Sequence, residues 1–547
     1  MADKFSLDPG LYRQADSSVD ARYMRQMAGQ ALTPCARDNS KPRITLVVGP
    51  SPFSMMRGWE FFITAPPEGL SCIATVLHNA GYPVRIVDVR YAVDPVREAY
   101  RQVLEATDVV GIATGEDDYP FVEELTALIK DKDPELPVIL GGSLVSSVPH
   151  VMMEHTKADI AVISEGEITI LELMDSFTAG HWSDERLARI NGLWYRTAAG
   201  ELRHTPPRGQ MKDLDSVPAM NLSLWPQAKG PLGLQPQIIS SHSRGCKMDC
   251  SFCYRTTPQL REKSVEKLRA ELKVYTEVYK TNFIMFSDLT FTSGKKRTLE
   301  LCEAIKNFRI HWACMTRCTD ADPEVLAAMK AAGCDIILFG VESLSPEVQK
   351  AARKGYTENL ILRTVRNTQE AGIVFGGLTI VGLPGETEGS LERLCEWAEE
   401  TQSITRVKYL SAMPGTNVYT DGLKRGIIRG ELEHLRWLST EQAMVHDEFL
   451  NYNGLPEQVM RRAYQRISDS YCKGPVMDFR HWPENFARFY PDPNPKKEWR
   501  HEYGYAGAPL APGAERFLLP HLTRQAPAPG IRRPRIEPMS SCGRGSI

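Results

Sequence analysis

The sequence lacks the features of an exported or membrane-bound protein. No stretch of its 547 residues approaches about eighteen consecutive apolar residues, so we expect no transmembrane helix and no membrane partner. The opening segment, MADKFSLDPGLYRQ, has no apolar region typical of a signal peptide. Twelve cysteines in a chain of this length do not make a disulfide framework, which favours a reducing cytoplasm. A net charge of −3 predicts no general binding of nucleic acids.

Three closely spaced cysteines are the most informative feature that is present. Cys246, Cys250 and Cys253 follow the spacing C-x3-C-x2-C, and a fourth cysteine at matching spacing is absent. Three thiolates can hold three corners of one [4Fe–4S] cube, which leaves one iron open to an outside ligand. The alternatives are a structural zinc site, which usually takes four ligands in paired C-x2-C knuckles, or three unrelated buried cysteines.

The N-terminal third alternates short apolar runs with amphipathic segments. The runs are flanked by Gly, Pro, Asp or Ser, which predicts βαβ units and a parallel, doubly wound sheet. The predicted strands cover residues 44–48, 84–89, 109–113, 137–140 and 159–163, with helices over 68–80, 96–106 and 121–130.

Small and polar residues follow these predicted strands. Ligands of parallel sheets bind beyond the carboxyl ends of the strands, and small residues let a bulky cofactor approach the backbone. No G-x-G-x-x-G follows the first strand, which disfavours a dinucleotide. A nucleotide-binding or purely structural unit remains the alternative. The candidate cofactor-binding residues are Thr114, Gly115, Gly141, Gly142, Ser143, Glu165 and Gly166.

The middle third predicts a second α/β unit with six strands. In α/β barrels, chemistry gathers at the carboxyl ends of the strands. The predicted strands cover residues 238–244, 282–291, 311–318, 335–343, 374–386 and 406–413. Near their carboxyl ends lie Asp288, Arg317, Glu342, Ser343, Gly382, Gly385 and Met413.

These motifs together resemble the cobalamin-dependent (class B) radical S-adenosylmethionine (SAM) methyltransferase family. The cysteine motif, with Phe252 before its third cysteine, matches the cluster motif of radical SAM enzymes. The segments FGVESLSPEVQKAARKGY and GLTIVGLPGET resemble the fourth and fifth strands of the radical SAM core. The segments APPEGL, LGGSLVSSVP and ISEGEIT resemble the cobalamin-binding domain. The resemblance covers about residues 40–420.

The resemblance implies an α/β protein with three parts: an N-terminal Rossmann-like cobalamin-binding domain, a partial (βα)6 radical SAM barrel and a mainly helical C-terminal extension. We expect an N-terminal extension (1–40), the cobalamin-binding domain (41–180), a linker (181–235), the radical SAM core (236–425), a capping region (426–523) and a disordered tail (524–547).

The resemblance also assigns cofactor contacts. In that family the methionine end of SAM binds the open iron. The resemblance implies that Asp288 contacts the SAM amino group and that Glu342 and Ser343 lie beside the ribose and the amino-acid part. It also implies that Gly382 lines the adenine. The motif D-x-H-x-x-G is missing, since Val76 precedes His78 where the aspartate would be. We therefore expect cobalamin without a histidine ligand to the cobalt.

The implied reaction uses SAM and methylcobalamin to methylate an unactivated carbon, or a phosphinate phosphorus, of a small-molecule intermediate in antibiotic or other secondary-metabolite biosynthesis. A flavodoxin or ferredoxin is the expected electron donor, and no catalytic residue is assigned. The alternatives are an oxidative cyclase or other non-methylating radical enzyme, a radical SAM protein that ignores cobalamin, and a non-catalytic iron–sulfur sensor.

Two further sets of residues carry weaker hypotheses. Cys302, Cys314, Cys318 and Cys334 are either ordinary core residues or ligands of a second cluster. Arg317, Lys408 and His481 are candidates for contacting an anionic group of the substrate, because arginine offers a bidentate fork to such groups. The alternative for each is pairing with Asp or Glu in the core, or exposure to solvent.

Overall fold

The computed structural model describes residues 22–23, 40–50, 65–226, 238–440 and 448–471, apart from the single positions 91, 93, 117, 256 and 258. The expected disordered tail, the aromatic segment containing His481 and nearly all of the expected N-terminal extension lie outside these residues.

The N-terminal region is built on a seven-stranded sheet in the order β2-β1-β3-β4-β5-β6-β7. Its first five strands are parallel, as predicted, and the last two pair antiparallel at one edge. These last two strands fall within the segment 181–235, so part of the expected linker belongs to the sheet. The strands are β1 (Ile44–Val48), β2 (Val84–Asp88), β3 (Val109–Thr114), β4 (Val138–Gly142), β5 (Ile160–Val162), β6 (Leu193–Arg196) and β7 (Leu202–His204).

Helices cover both faces of this sheet because successive side chains of its buried strands point to opposite faces. Leu46 packs into the core layer that contains α1 and α6, whereas its neighbour Val47 packs into the layer that contains α2 and α3. Both layers are apolar, which confirms the doubly wound arrangement. The helices are α1 (Glu68–Asn79), α2 (Pro95–Val103), α3 (Tyr119–Lys132), α4 (Ser143–Ser147), α5 (Pro149–His155), α6 (Glu167–Thr178) and α7 (Asp184–Leu187).

The second region contains a six-stranded parallel sheet in the order β15-β14-β13-β12-β11-β8. Its strands are shorter than predicted at several carboxyl ends: β12 ends at Thr316 and β14 at Val381. A separate two-stranded ribbon, β9 with β10, flanks the cysteine loop. The strands are β8 (Ile238–Ser240), β9 (Ser243–Arg244), β10 (Arg261–Glu262), β11 (Phe283–Phe286), β12 (His311–Thr316), β13 (Cys334–Glu342), β14 (Val374–Val381) and β15 (Ile404–Tyr409).

Helices follow the barrel strands, and several begin at a side-chain cap. Ser264, Thr357 and Thr387, for example, accept a hydrogen bond from the backbone three residues on, which ends each preceding loop at a defined position. The helices are α8 (Val265–Lys273), α9 (Lys295–Lys306), α10 (Pro323–Ala331), α11 (Pro346–Ala351), α12 (Glu358–Glu370) and α13 (Glu388–Thr401).

The described part of the C-terminal region is helical, with α14 (Asn417–Lys424), α15 (Glu431–Leu438) and α16 (Glu457–Tyr471). It joins the two sheets from outside. Leu435 of α15 packs into the core of the N-terminal region, and Arg436 pairs with Glu123 at 2.8 Å. The ring of Tyr464 on α16 stacks on Tyr409 of the barrel at a centroid distance of 4.6 Å.

No helix in the described part of the chain is both long enough and apolar enough to cross a bilayer.

Candidate functional site

A cavity of about 570 Å³ lies where the carboxyl ends of the two parallel sheets face each other. In the N-terminal sheet, Ala113 pairs with Val48 and with Gly141, and Gly141 pairs with Val162, so the ends of these strands are level. The barrel contributes the ends of β8 and β11 together with residues on either side of the motif cysteines, which do not themselves line the cavity. The lining includes Gly111, Gly141, Gly142, Ser143, Glu165, Gly166, Glu68, Ser241, Arg244, Gly245, Tyr254, Arg255, Ser287 and Leu289.

Glycines keep the N-terminal wall of this cavity open. A Cβ atom built on Gly141 would meet nothing within 4 Å. Gly142 has φ of 120°, and a Cβ there would come within 2.6 Å of the carbonyl oxygen of Thr114. Gly141 is therefore small where space is needed, whereas Gly142 is required by the backbone itself. This wall fits the flat face of a large cofactor such as cobalamin.

The predicted cofactor-binding residues divide into two groups. Gly141, Gly142, Ser143, Glu165 and Gly166 line the cavity. Thr114 and Gly115 are not part of its lining, but Thr114 contacts residues at and after the end of β4. The Thr114 hydroxyl donates to the carbonyl of Gly141 at 3.1 Å and accepts from the amide of Val145 at 3.2 Å.

The described lining of the cavity contains no histidine. His78 lies in the last turn of α1, away from the cavity. The absence of a histidine ligand to the cobalt stays a prediction.

Buried ion pairs join the two regions at the rim of the cavity. Arg244, on β9, reaches Glu165 at 3.0 Å and Glu167 at 2.6 Å. Arg261, on β10, reaches Glu165 at 2.8 Å. Burial alone would raise the pKa of Glu165, but the two arginines outweigh it and hold the pKa below its usual range. Glu165 lines the cavity, and its role as a cofactor contact stays a prediction; its carboxylate also holds the barrel against the N-terminal sheet.

A second polar contact crosses the same interface. Glu68, at the start of α1, accepts hydrogen bonds from the backbone amide and the hydroxyl of Ser241 at 2.9 and 2.8 Å. Its other oxygen accepts from the hydroxyl of Ser287 at 2.8 Å. One carboxylate therefore sets the ends of β8 and β11 against the N-terminal region.

Tyr254 connects the cysteine loop itself to the N-terminal wall. It follows Cys253 directly, lines the cavity, and donates its hydroxyl proton to the carbonyl of Ser143. The hydroxyl of Ser147 donates to the same phenolic oxygen at 2.6 Å. The side chain of Tyr254 thus connects the loop that holds the cysteines to α4, the short helix after β4.

We expect Tyr254→Phe to lower cobalamin affinity without removing the cluster. The substitution keeps the ring and deletes a hydrogen bond worth about 0.5–1.5 kcal/mol, or roughly two- to ten-fold in affinity. Cobalamin retained after reconstitution is read from its absorption, and iron content reports the cluster. Tyr279→Phe is the control, because its hydroxyl bonds the backbone of Leu222 away from the cavity. Equal cobalamin retention in both variants would contradict the role of Tyr254.

The three motif cysteines lie on one half-buried loop and have donors aimed at their sulfurs. The amide of Met248 donates to Cys246 Sγ at 3.4 Å, and Arg317 Nη1 lies 3.8 Å from Cys250 Sγ. Burial raises the pKa of the Cys253 thiol to about 11, with further contributions from the charges of Cys250 and Cys246. Donors around neighbouring thiols suit a ligand set that carries negative charge.

Within the described residues, no group of three or more His, Cys, Asp or Glu side chains converges closely enough to hold a single metal ion. A cube does not need such convergence, because each thiolate binds a different iron. The zinc alternative does require it.

The remaining barrel cysteines are core residues. Cys302, Cys314, Cys318 and Cys334 are all buried in the apolar layer outside the barrel sheet. Cys318 also lies beyond β12, which ends at Thr316, so the predicted single strand carrying both Cys314 and Cys318 is wrong. The structure favours the core interpretation over a second cluster.

Asp288 lies at the predicted strand end, but its oxygens already have partners. It is 1% exposed and accepts hydrogen bonds from the backbone amides of Ser243 at 2.7 Å and His242 at 3.3 Å. Burial raises its pKa. Its observed contacts order the chain between β8 and the cysteine loop.

Glu342 and Ser343 end the fourth barrel strand in an unusual backbone conformation. Glu342 has φ of 64°, a value that non-glycine residues rarely adopt. Its Oε1 accepts from Lys354 Nζ at 2.6 Å. A Cβ on Gly340 would approach this lysine within 2.5 Å, so the glycine makes room for the pair. The side chain of Phe252 lies next to it, with Lys354 Nζ 5.7 Å from the ring centroid.

Gly382 occupies the loop after the fifth barrel strand, with φ of 98°. Its amide donates to the buried carboxylate of Glu386. Burial raises the pKa of Glu386 from 4.5 to about 8. The loop GLPGE is therefore held by an acid that stays protonated at neutral pH.

Glu386→Gln is expected to remove a pH dependence of stability. The folded pKa exceeds the unfolded value, so the stability contributed by this group is complete below about pH 4.5 and is lost as the pH rises to about 8. The melting temperature of the variant relative to wild type should therefore increase by about 2 °C or more between pH 5 and pH 9. Thermal unfolding of the two cofactor-free proteins measures this, and a difference that does not change with pH would contradict it.

Of the three candidates for an anionic substrate group, the structure describes Arg317 and Lys408, which contact different groups. Arg317 contacts the cysteine loop, which removes the main support for this hypothesis. Lys408 lies on β15 and, with Arg406, partly offsets the rise that burial causes in the pKa of Glu116. His481 lies outside the described residues.

Sequence reasoning missed four residues at this site: Glu68, Tyr254, Arg244 and Arg261. Glu68 lies in APPEGL and Tyr254 directly follows the cysteine motif, so their positions offered a signal. No local sequence pattern indicated Arg244 and Arg261, because their partners are about 80 to 100 residues away along the chain.

Comparisons with known proteins agree with this architecture. A model of the radical SAM superfamily matches residues 240–398, and a model of the B12 binding domain matches residues 62–174. An uncharacterized methyltransferase of Pyrococcus horikoshii is 28% identical over 395 residues, covering 71% of this chain and 84% of that protein. The cytidylyl-2-hydroxyethylphosphonate methyltransferase of Streptomyces wedmorensis is 24% identical over 450 residues, covering 70% and 82%.

Among solved structures, the fold is similar to that of the radical SAM methyltransferase TsrM from Kitasatospora setae, with tryptophan substrate and a SAM analogue bound. The TM-score is 0.57 at 20% identity, over 71% of this chain and 77% of that one. With a B12 binding domain, a radical SAM domain, a three-cysteine loop and a cavity between them, the chain belongs to the cobalamin-dependent radical SAM methyltransferases, enzymes that use SAM, a [4Fe–4S] cluster and cobalamin.

Proposed function

We propose that this enzyme methylates an unactivated carbon of a small-molecule intermediate in the biosynthesis of an antibiotic or another secondary metabolite. The observation that carries the proposal is the shared cavity, because the glycine wall of the N-terminal sheet and residues on either side of the motif cysteines, Gly245, Tyr254 and Arg255, line the same space. When bound there, cobalamin supplies the methyl group, while the cluster and SAM supply a radical that removes a hydrogen atom from carbon.

The residues of this chain hold and separate these components. Cys246, Cys250 and Cys253 would hold the cluster, and Gly141 with its neighbours would hold one face of the cobalamin ring. Glu342, Ser343 and Gly382 would line SAM, with the Glu342–Lys354 pair fixing the end of its strand. Asp288 would act through the chain between β8 and the cysteine loop, which its carboxylate orders.

The interface pairs keep the two halves together around the reaction space. Arg244, Arg261, Glu165 and Glu167 are each less than one-fifth exposed, so their ion pairs are poorly screened by solvent. They close the rim of the cavity and limit the entry of water, which would otherwise quench a reactive radical.

A small substrate is supported by a relative. The Streptomyces wedmorensis enzyme is named for a small molecule, cytidylyl-2-hydroxyethylphosphonate. A phosphinate phosphorus is the second candidate acceptor.

Anaerobic turnover with SAM carrying a deuterated methyl group tests the proposal against a panel of small-molecule intermediates. We expect one substrate to gain a labelled methyl group on carbon. We also expect deuterium placed at that carbon to appear in 5′-deoxyadenosine. A labelled methyl group on phosphorus would support the second candidate. A dehydrogenated or cyclised product without label would identify an oxidative cyclase, and SAM cleavage that no substrate stimulates would contradict both.

We further propose that a flavodoxin or ferredoxin with an acidic docking face delivers the electron. Lys247, between two motif cysteines, is exposed, and Arg353 beside the loop is 56% exposed. Opposite charges on a carrier would speed its association. Lys247→Glu should slow SAM cleavage driven by a reduced flavodoxin but not cleavage driven by dithionite. Lys306→Glu, on exposed α9, is the control, and equal slowing by both variants would contradict this surface.

A further inference from the structure

Arg317 is held against the cysteine loop by three contacts. It is the first residue after β12, and its Nη1 lies 3.8 Å from Cys250 Sγ. Its Nη2 donates to the carbonyl of Lys354 at 3.1 Å. The guanidinium lies over the ring of Tyr356, 5.0 Å from its centroid. The side chain is therefore aimed at one sulfur and fixed from two other directions.

The surroundings of Arg317 are equally fixed. The backbone carbonyl of Lys354 accepts the hydrogen bond from Arg317 Nη2, and the side chain of Lys354 forms an ion pair with Glu342. Both of these side chains are less than one-tenth exposed, and Gly340 leaves the space that the pair occupies. A positive charge held at a fixed distance from a cluster thiolate changes the reduction potential of the cluster, because hydrogen bonds to the cluster sulfurs and local charge both set that potential.

We propose that Arg317 is a positioning residue that raises the reduction potential of the cluster through a charged hydrogen bond to the Cys250 thiolate. The step concerned is the gain of one electron by the oxidised 2+ cluster, which becomes the 1+ cluster, from a low-potential one-electron donor. The guanidinium stabilises the added negative charge. This role goes beyond the ligand set and beyond methyl transfer, and it replaces the idea that Arg317 binds a substrate anion.

The test compares reconstituted wild-type protein with Arg317→Gln in the absence of SAM. A redox titration followed by electron paramagnetic resonance should give a more negative midpoint potential for the variant at equal iron content. With dithionite as reductant, SAM cleavage by the variant should fall by about ten-fold or more, the usual range for loss of an outer-shell partner. Titanium(III) citrate, a stronger reductant, should return the rate to that of wild type.

Two further variants distinguish the contact between Arg317 and Cys250 from a general effect of positive charge near the cysteine loop. Arg353→Gln removes the same charge from an exposed side chain that pairs with Asp249 of the same loop, and it should leave the potential unchanged. Arg317→Lys keeps the charge but not the fork, and its potential should lie between those of wild type and Arg317→Gln.

Three outcomes would overturn the proposal. An unchanged potential with weaker SAM binding would make Arg317 a SAM ligand. Loss of iron from both Arg317 variants would make it a residue for cluster assembly. An equal shift in Arg353→Gln would show that general charge near the loop, and not this contact, sets the potential.

Discussion

Cys250→Ala is expected to reduce SAM cleavage to the level of the protein-free reaction. Cys246, Cys250 and Cys253 supply three thiolates on one loop, and removing one leaves the cube with two protein ligands. The measurements are 5′-deoxyadenosine formed anaerobically with dithionite, together with iron and sulfide content. We expect both the activity and the cluster to be lost.

Cys395→Ala is the matched control for this experiment. Cys395 lies on α13, is 1% exposed and belongs to the apolar core, so its loss tests the removal of a cysteine as such. We expect that variant to keep its cluster. If a variant with all three motif cysteines replaced by alanine kept full iron and SAM cleavage, the assignment of the cluster to this loop would be wrong.

Gly141→Val is expected to lower cobalamin occupancy by about ten-fold or more while the protein stays folded, because a bulky group would fill space meant for a ligand. The Cβ position of Gly141 is open and faces the cavity, and valine is well suited to a strand. Cobalamin content after reconstitution, measured by absorption and compared with iron content, gives the result.

Two other glycines make this experiment specific. Gly142→Val should destabilise the fold itself, because its φ is positive and its Cβ would collide with the backbone of Thr114. Gly389, on α13, lies away from the cavity, and a Cβ there would make only an ordinary contact with Thr387 Oγ1 at 3.9 Å, so Gly389→Val should leave cobalamin binding unchanged. Normal cobalamin occupancy in folded Gly141→Val would place the cofactor elsewhere.

Much of the fold could be predicted because its signals are local. Short apolar runs flanked by turn residues indicated the parallel strands of both regions, and the observed parallel strands fall on or within a residue or two of those runs. The antiparallel strands β6, β7 and β10 were not predicted. Boundaries were less predictable at carboxyl ends. There the chain leaves the sheet to build the site, as after Thr316 and Val381, and apolar residues continue past the last ladder hydrogen bond.

The roles of individual polar residues were harder to predict, because a residue type shows what a side chain can bind but not what it meets. Asp288 and Glu165 are both acidic and both lie at strand ends, as ligands of a cofactor would. Asp288 accepts hydrogen bonds from the backbone amides of His242 and Ser243, between β8 and the cysteine loop, and Glu165 pairs with two arginines of the opposite region. Arg317, predicted to face a substrate, faces a cysteine.

The sequence by itself therefore determined the chemistry that this protein can hold: three thiolates with one iron left open, a glycine-rich sheet end, and two successive α/β units. These depend on residue type and short spacing, which a chain displays directly. Only the tertiary structure decided how the units meet, since Glu68, Tyr254, Arg244 and Arg261 find their partners across about 80 to 220 residues of chain. Because such contacts form only when both sheets are complete, the shared cavity is a property of the folded molecule.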